Sequence, residues 1–214
     1  EEYEKQSLTF ERITQILNGL MIAKVLMYEA ENNEISAARY RKMTLYLDTP
    51  ILLHLLGFLS EYERQSTNQM IELLATMGAS FACFREHYQE VVDILTAYIK
   101  NKQDRRYTRR TLAGLDDKNL SIPELIVLRE TLDSKLQAQG IEVVERPEYI
   151  SNSTNGNSNH KYIDENALSN AIKNDIPGYS EKKNNALQND VLAISAISLL
   201  RNGRASNKLE NCAA

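Results

Sequence analysis

The sequence predicts an α/β fold, a three-layer α/β/α arrangement around a mostly parallel central sheet. Three observations point to it. Short apolar runs at 43–47 (MTLYL), 80–84 (SFACF) and 141–145 (IEVVE) have the length and composition of strands. Helical periodicity fills the intervals between them, and strands joined through helical crossovers run parallel. Gly78 and Gly140 stand just before the second and third runs, where a helix would stop and a strand begin.

Element by element, residues 8–34 keep apolar side chains at helical spacing (Ile13, Ile16, Leu17, Leu20, Ile22, Val25, Leu26) and predict one long amphipathic helix. Residues 1–42 are thus expected to form an N-terminal helical extension, and 43–214 the α/β domain. After the first strand, Asp48, Thr49 and Pro50 open a helix running from about Ile51. A second helix is expected at 67–77, and a third, at 86–100, follows the second strand. Ser121, Pro123 and Glu124 read as a capping box with proline in the first turn, opening a helix that continues to Gly140. Residues 151–161, SNSTNGNSNHK, contain no apolar residue and predict a polar flexible loop. Asp164 then caps a short helix toward Lys173, and a last helix spans about 184–201 before Asn202 and Gly203. A domain of this kind is expected to have a further strand after that helix, so the chain reads as C-terminally incomplete.

Composition narrows the function classes. With 214 residues, 43% hydrophobic and 25% charged, the chain has the make-up of a globular protein with one core. The longest apolar stretch, VLAISAISLL, is too short for a membrane span, and the acidic start EEYEKQ lacks the apolar core of a signal peptide, so a cytoplasmic location with no membrane partner is expected. Cys83 and Cys212 make no disulfide framework, and His54, His87 and His160 have no His or Cys partner at zinc-ligand spacing. No P-loop, GxGxxG or GxSxG motif is present. A net charge of -4 confines any nucleic-acid contact to a local patch.

Chemistry concentrates on carboxylates. Asp48 ends the run Leu45, Tyr46, Leu47, where a charge half-facing an apolar interior needs a cation or hydrogen-bond donors. An aspartate before Thr-Pro is also an ordinary helix N-cap. Glu90 lies about one turn into the helix after SFACF, with Glu86 one turn earlier on the same face as an alternative. Asp190 opens an otherwise apolar helix, where it serves either a site or the helix dipole. Asp164 and Asp175 sit beside polar or proline-containing turns and are secondary candidates.

Together the stretches LYLDTPILLHLLG, SFACFREHYQEVVDIL and NNALQNDVLAISAISLL resemble the PIN domain nuclease superfamily. The resemblance implies that Asp48, Glu90 and Asp190 converge at one end of a parallel sheet and bind Mg2+ or Mn2+. It further implies metal-dependent endoribonuclease activity, the hydrolysis of phosphodiester bonds in single-stranded RNA. Hard cations of that kind take oxygen ligands and keep several waters, so a few carboxylates suffice. In the same family a strand after the Asp190 helix often supplies a fourth acidic or polar residue, expected here beyond Ala214. Separately, residues 100–110 carry six basic side chains against Asp104. Arg105, Arg106, Tyr107, Arg109 and Arg110 form a candidate nucleic-acid contact, with a solvated helix end as the alternative. Expected partners are RNA, with DNA as the alternative, and either a second copy of the chain or a further domain of a longer protein. The competing readings are a catalytically inactive PIN-like interaction or regulatory module, and a related metal nuclease acting on DNA.

Overall fold

A computed structural model describes residues 19–20, 40–41, 43–104, 112–147, 162–175 and 184–204. Of the predicted N-terminal helix only Gly19 and Leu20 are described, both helical, and the predicted loop at 151–161 lies outside the described residues. Strand β1 (Thr44–Tyr46) leads into α1 (Thr49–Leu55) and α2 (Glu61–Thr76). Strand β2 (Ser80–Phe84) leads into α3 (Arg85–Gln103), α4 (Ala113–Asp117), α5 (Ile122–Glu130) and α6 (Leu132–Ala138). Strand β3 (Ile141–Val144) is followed by α7 (Glu165–Asp175) and α8 (Asn184–Leu200).

The protein is therefore α/β and mostly helical, with one parallel sheet of order β1-β2-β3 among the described residues. Register pairs Leu45 with Phe81 and Phe81 with Ile141, then Cys83 with Val143 and Phe84 with Val144. Because side chains alternate across the pleat, Leu45, Phe81, Cys83, Ile141 and Val143 share one face and Tyr46, Phe84 and Val144 the other. The first face belongs to the main core with Leu52 of α1, Val91 and Leu95 of α3, Leu125 of α5, and Leu132 and Leu136 of α6. Full burial of each such side chain contributes about 1.5–3 kcal/mol. The second face is covered by α8, whose Ala193, Ala196, Ile197 and Leu200 follow one helical stripe onto Phe84, Tyr46 and Val144. Small residues on that stripe let the helix lie close, and the Tyr46 and Phe84 rings stack beneath it with centroids 4.5 Å apart.

Several boundaries differ from the sequence expectation, each for a local reason. The second helix starts at Glu61 rather than 67, because Ser60 and Glu63 form a capping box: the Ser60 hydroxyl accepts from the Glu63 amide and Glu63 accepts from the Ser60 amide. The helix expected from Ser121 to Gly140 is two, broken at Thr131, whose hydroxyl donates back to the carbonyls of Val127 and Leu128. Helix α4 is an element the sequence pattern does not announce; it is only five residues long and carries Leu115 into the core. Asp164 caps α7 as expected, its carboxylate accepting from the amides of Asn166 and Ala167 at 3.0 Å. Gly78 and Gly140 both adopt positive φ (94° and 75°) at helix ends, the conformation glycine reaches without a Cβ penalty.

Candidate functional site

At the carboxyl ends of parallel strands the chain leaves the sheet and enters helices, so side chains there are held by rigid elements at one edge. β1 ends at Tyr46, Leu47 is buried, and Asp48 is the N-cap of α1, with extended backbone and Oδ1 accepting a long 3.4 Å bond from the Ile51 amide. The carboxylate is exposed. The capping role and the site role therefore coexist, since one weak bond leaves most of its lone pairs available.

Thr49, the next residue, turns inward and is only 6% exposed. Its hydroxyl donates to Glu90 Oε2 at 2.6 Å, and His87 Nδ1 lies 3.4 Å from Thr49 Oγ1. Both partners come from α3, which starts directly after β2 and so carries His87 and Glu90 to the same edge as Asp48. Sequence reasoning misses Thr49 and takes His87 for a surface or core residue. His87 is indeed buried, at 4% exposure, but among polar partners. A signal is present in the sequence: the spacing from His87 to Glu90 puts both on one helix face.

Asp190 does not open its helix. It lies almost two turns past Asn184, beyond the first turn in which a helix dipole acts, so dipole compensation is not its role. Partial burial raises the proton affinity of its carboxyl above the ordinary aspartate value; the charges of Glu90 and Asp48 raise it further, while His87 opposes them. Asp48, Glu90 and His87, from two further elements, are thus within electrostatic reach of Asp190 at the edge where β1 and β2 end.

Glu86, the alternative to Glu90, is engaged elsewhere: Oε1 accepts from Arg146 Nε at 2.6 Å, while Arg85 pairs with Glu145 just after β3. These crossed ion pairs tie the start of α3 to the end of β3. Asp175 is the last residue of α7 and Asp164 is used as its cap. The basic and aromatic candidates Arg105, Arg106, Tyr107, Arg109 and Arg110 lie outside the described residues.

Three carboxylates and no soft ligand suit a hard divalent cation in chemistry and in charge. Their spacing does not close around one: among the described residues no three His, Cys, Asp or Glu side chains are grouped closely enough to hold a metal ion. Nor is any described helix long and apolar enough to cross a membrane.

The raised proton affinity of Asp190 has a measurable consequence. Between its ordinary value of 3.8 and its raised value, the folded chain binds more protons at this site than the unfolded chain, so its contribution to stability falls as pH rises through that window. Below the ordinary value the penalty disappears. Asp190→Asn is therefore expected to raise Tm at pH 7 and to make no difference near pH 3. Asp190 is largely solvent-accessible, so screening limits the gain to about 1 kcal/mol or less, on the order of 2–4 °C at most. Thermal unfolding of both proteins across that range measures it; a lower Tm at pH 7 would contradict the repulsion.

In comparisons with known proteins, no family model, curated protein or solved structure gives a significant match to this chain.

Proposed function

We propose that the protein is a divalent-cation-dependent nuclease of PIN type, an endoribonuclease that hydrolyses phosphodiester bonds of single-stranded RNA. The reading includes a three-layer α/β/α domain of that family and a cytoplasmic setting. The observation that carries it is the meeting of acids far apart in sequence near one edge of the sheet: Glu90 accepts from Thr49, the residue beside Asp48, and burial followed by the charges of Glu90 and Asp48 raises the proton affinity of Asp190. Carboxylates that repel one another in the absence of a cation are relieved by one. Asp48, Glu90 and Asp190 are the residues that would hold Mg2+ or Mn2+. Such an ion, when bound, supplies charge neutralisation on the phosphate and activation of water. The chain's own part is to fix those acids at the N-cap of α1, on α3 and on α8, where their charges repel one another.

One observation favours a second reading, a PIN-like scaffold that does not cut and serves as an interaction or regulatory module: the described acids are not grouped at metal-ligand spacing. Two measurements separate the readings. Mn2+ at about 100 times its dissociation constant stabilises a binding protein by about 2.7 kcal/mol, on the order of 5–10 °C in Tm for a chain of this size. The nuclease reading expects that shift together with Mn2+-dependent cleavage of a labelled single-stranded RNA. Neither shift nor cleavage is the outcome expected of the inactive module. Cleavage confined to a branched DNA offered in parallel would identify a DNA nuclease.

A further inference from the structure

A hydroxyl has one hydrogen and two lone pairs. The hydrogen of Thr49 is committed to Glu90 Oε2 at 2.6 Å, so toward His87 Nδ1, 3.4 Å away, the same oxygen is left only to accept. The hydrogen in that second contact must then sit on Nδ1. Thr49 and His87 are both buried, where an unmatched donor or acceptor costs about 1–3 kcal/mol, so the direction of the chain has an energetic reason.

We propose that His87 is a positioning residue for Glu90: held as the Nδ1–H tautomer it donates to Thr49, Thr49 donates to Glu90 Oε2, and this two-link chain fixes the orientation of the Glu90 carboxylate. Two features of the architecture give the chain leverage. His87 and Glu90 are one turn apart on α3, so donor and final acceptor move as one body. The link between them, Thr49, comes from α1 and directly follows Asp48 in the backbone, so the chain ties the Glu90 carboxylate to the residue beside the first acid. Oε2 accepts from Thr49, and the carboxylate keeps its remaining lone pairs, those of Oε1 among them. A histidine in this place does what partners of ligating groups do in general, which is to hold a donor oxygen in one orientation. The consequence for cation binding rests on the nuclease reading above; the hydrogen-bond chain itself does not.

The test has two independent arms. Long-range proton–nitrogen NMR of the wild-type protein is expected to show a proton on His87 Nδ1. Mn2+ titration of variants forms the second arm. His87→Phe keeps a ring and removes both nitrogens, and Thr49→Val keeps the shape and removes the hydroxyl; each is expected to weaken Mn2+ binding about 10-fold or more. His87→Asn, which retains an N–H near the position of Nδ1, is expected to stay within about 3-fold of the wild type. Combining His87→Phe with Thr49→Val should lose no more than the larger single effect, because both break one chain. An Nε2–H tautomer, or a folded His87→Phe protein that binds Mn2+ as the wild type does, overturns the proposal; should His87→Phe fail to fold, Thr49→Val decides in its place by the same criterion. If the wild type binds no Mn2+, the nuclease reading fails and the tautomer alone decides: Nδ1–H supports the positioning chain and Nε2–H refutes it.

Discussion

If the protein is the nuclease proposed above, Asp48→Asn is expected to lower its Mn2+-dependent cleavage of single-stranded RNA by about 100-fold or more, which corresponds to about 2.7 kcal/mol or more of lost transition-state stabilisation. The protein should unfold at the same temperature or slightly higher. Both halves follow from the position of the residue. Asn caps a helix as well as Asp does, so the 3.4 Å bond from the Ile51 amide has an equivalent acceptor after the change. What disappears is one negative charge at an edge where Glu90 and Asp48 already raise the proton affinity of Asp190. Removing it relieves repulsion at that edge and, on the proposed nuclease reading, takes away one of the acids that would hold the cation. Initial rates at several Mn2+ concentrations, with Tm recorded on the same samples, test the pair of expectations. Undiminished cleavage would remove Asp48 from the chemistry.

Much of this edge is legible in the sequence because the elements that build it are local. A strand, a polar junction and a helix within LYLDTPILL place Asp48 without reference to the rest of the chain, and SFACF followed by a helix does the same for Glu90. The expected start of the last helix near 184 matches the observed Asn184, yet the sequence reads Asp190 as opening the apolar part of that helix. The apolar stripe of α8 begins at Leu187 and Val191, but the helix itself starts at Asn184, and a polar first turn leaves no hydrophobic signal. Thr49 and His87 are illegible as a pair, since 38 residues separate them and only the packing of α1 against α3 brings them together. The break at Thr131 also depends on tertiary context. The stretch from Ile122 to Ala138 carries no glycine, and no proline beyond its first turn, to announce an interruption, and it is Leu132 and Leu136 seating in the main core that reward the new helix direction.

Gly114→Ala should be the most damaging small substitution in the described core, costing about 3–5 kcal/mol and lowering Tm on the order of 10 °C. No unusual φ is at issue. A Cβ on residue 114 would sit 1.8 Å from the Leu59 carbonyl oxygen and 2.7 Å from that of Gly57, and both obstacles are backbone with no rotamer to swing aside. The close approach exists because α4 lies directly on the connection between α1 and α2: the Gly114 amide donates to Phe58 O at 3.0 Å, and Lys118 Nζ donates to Gly57 O at 2.9 Å. Relieving the clash means lifting α4 off that connection. Both bonds then lengthen, and Leu112, Leu115 and Phe58, at 1%, 0% and 0% exposure, lose their seats. Overpacking of this kind costs about 1–3 kcal/mol and an abandoned buried carbonyl about as much again, a large part of a total stability of about 5–15 kcal/mol. Gly140→Ala is the matched control. A Cβ on residue 140 would meet no atom within 4 Å, but φ there is 75°, so the change should show only the cost of a left-handed alanine, about 1–2 kcal/mol. Urea denaturation of the two variants decides the matter, and equal losses would mean that α4 does not rest on the α1–α2 connection as described. The pair also separates stability from chemistry: Gly114→Ala should lose function only in step with its unfolded fraction, whereas Asp48→Asn should lose it while fully folded.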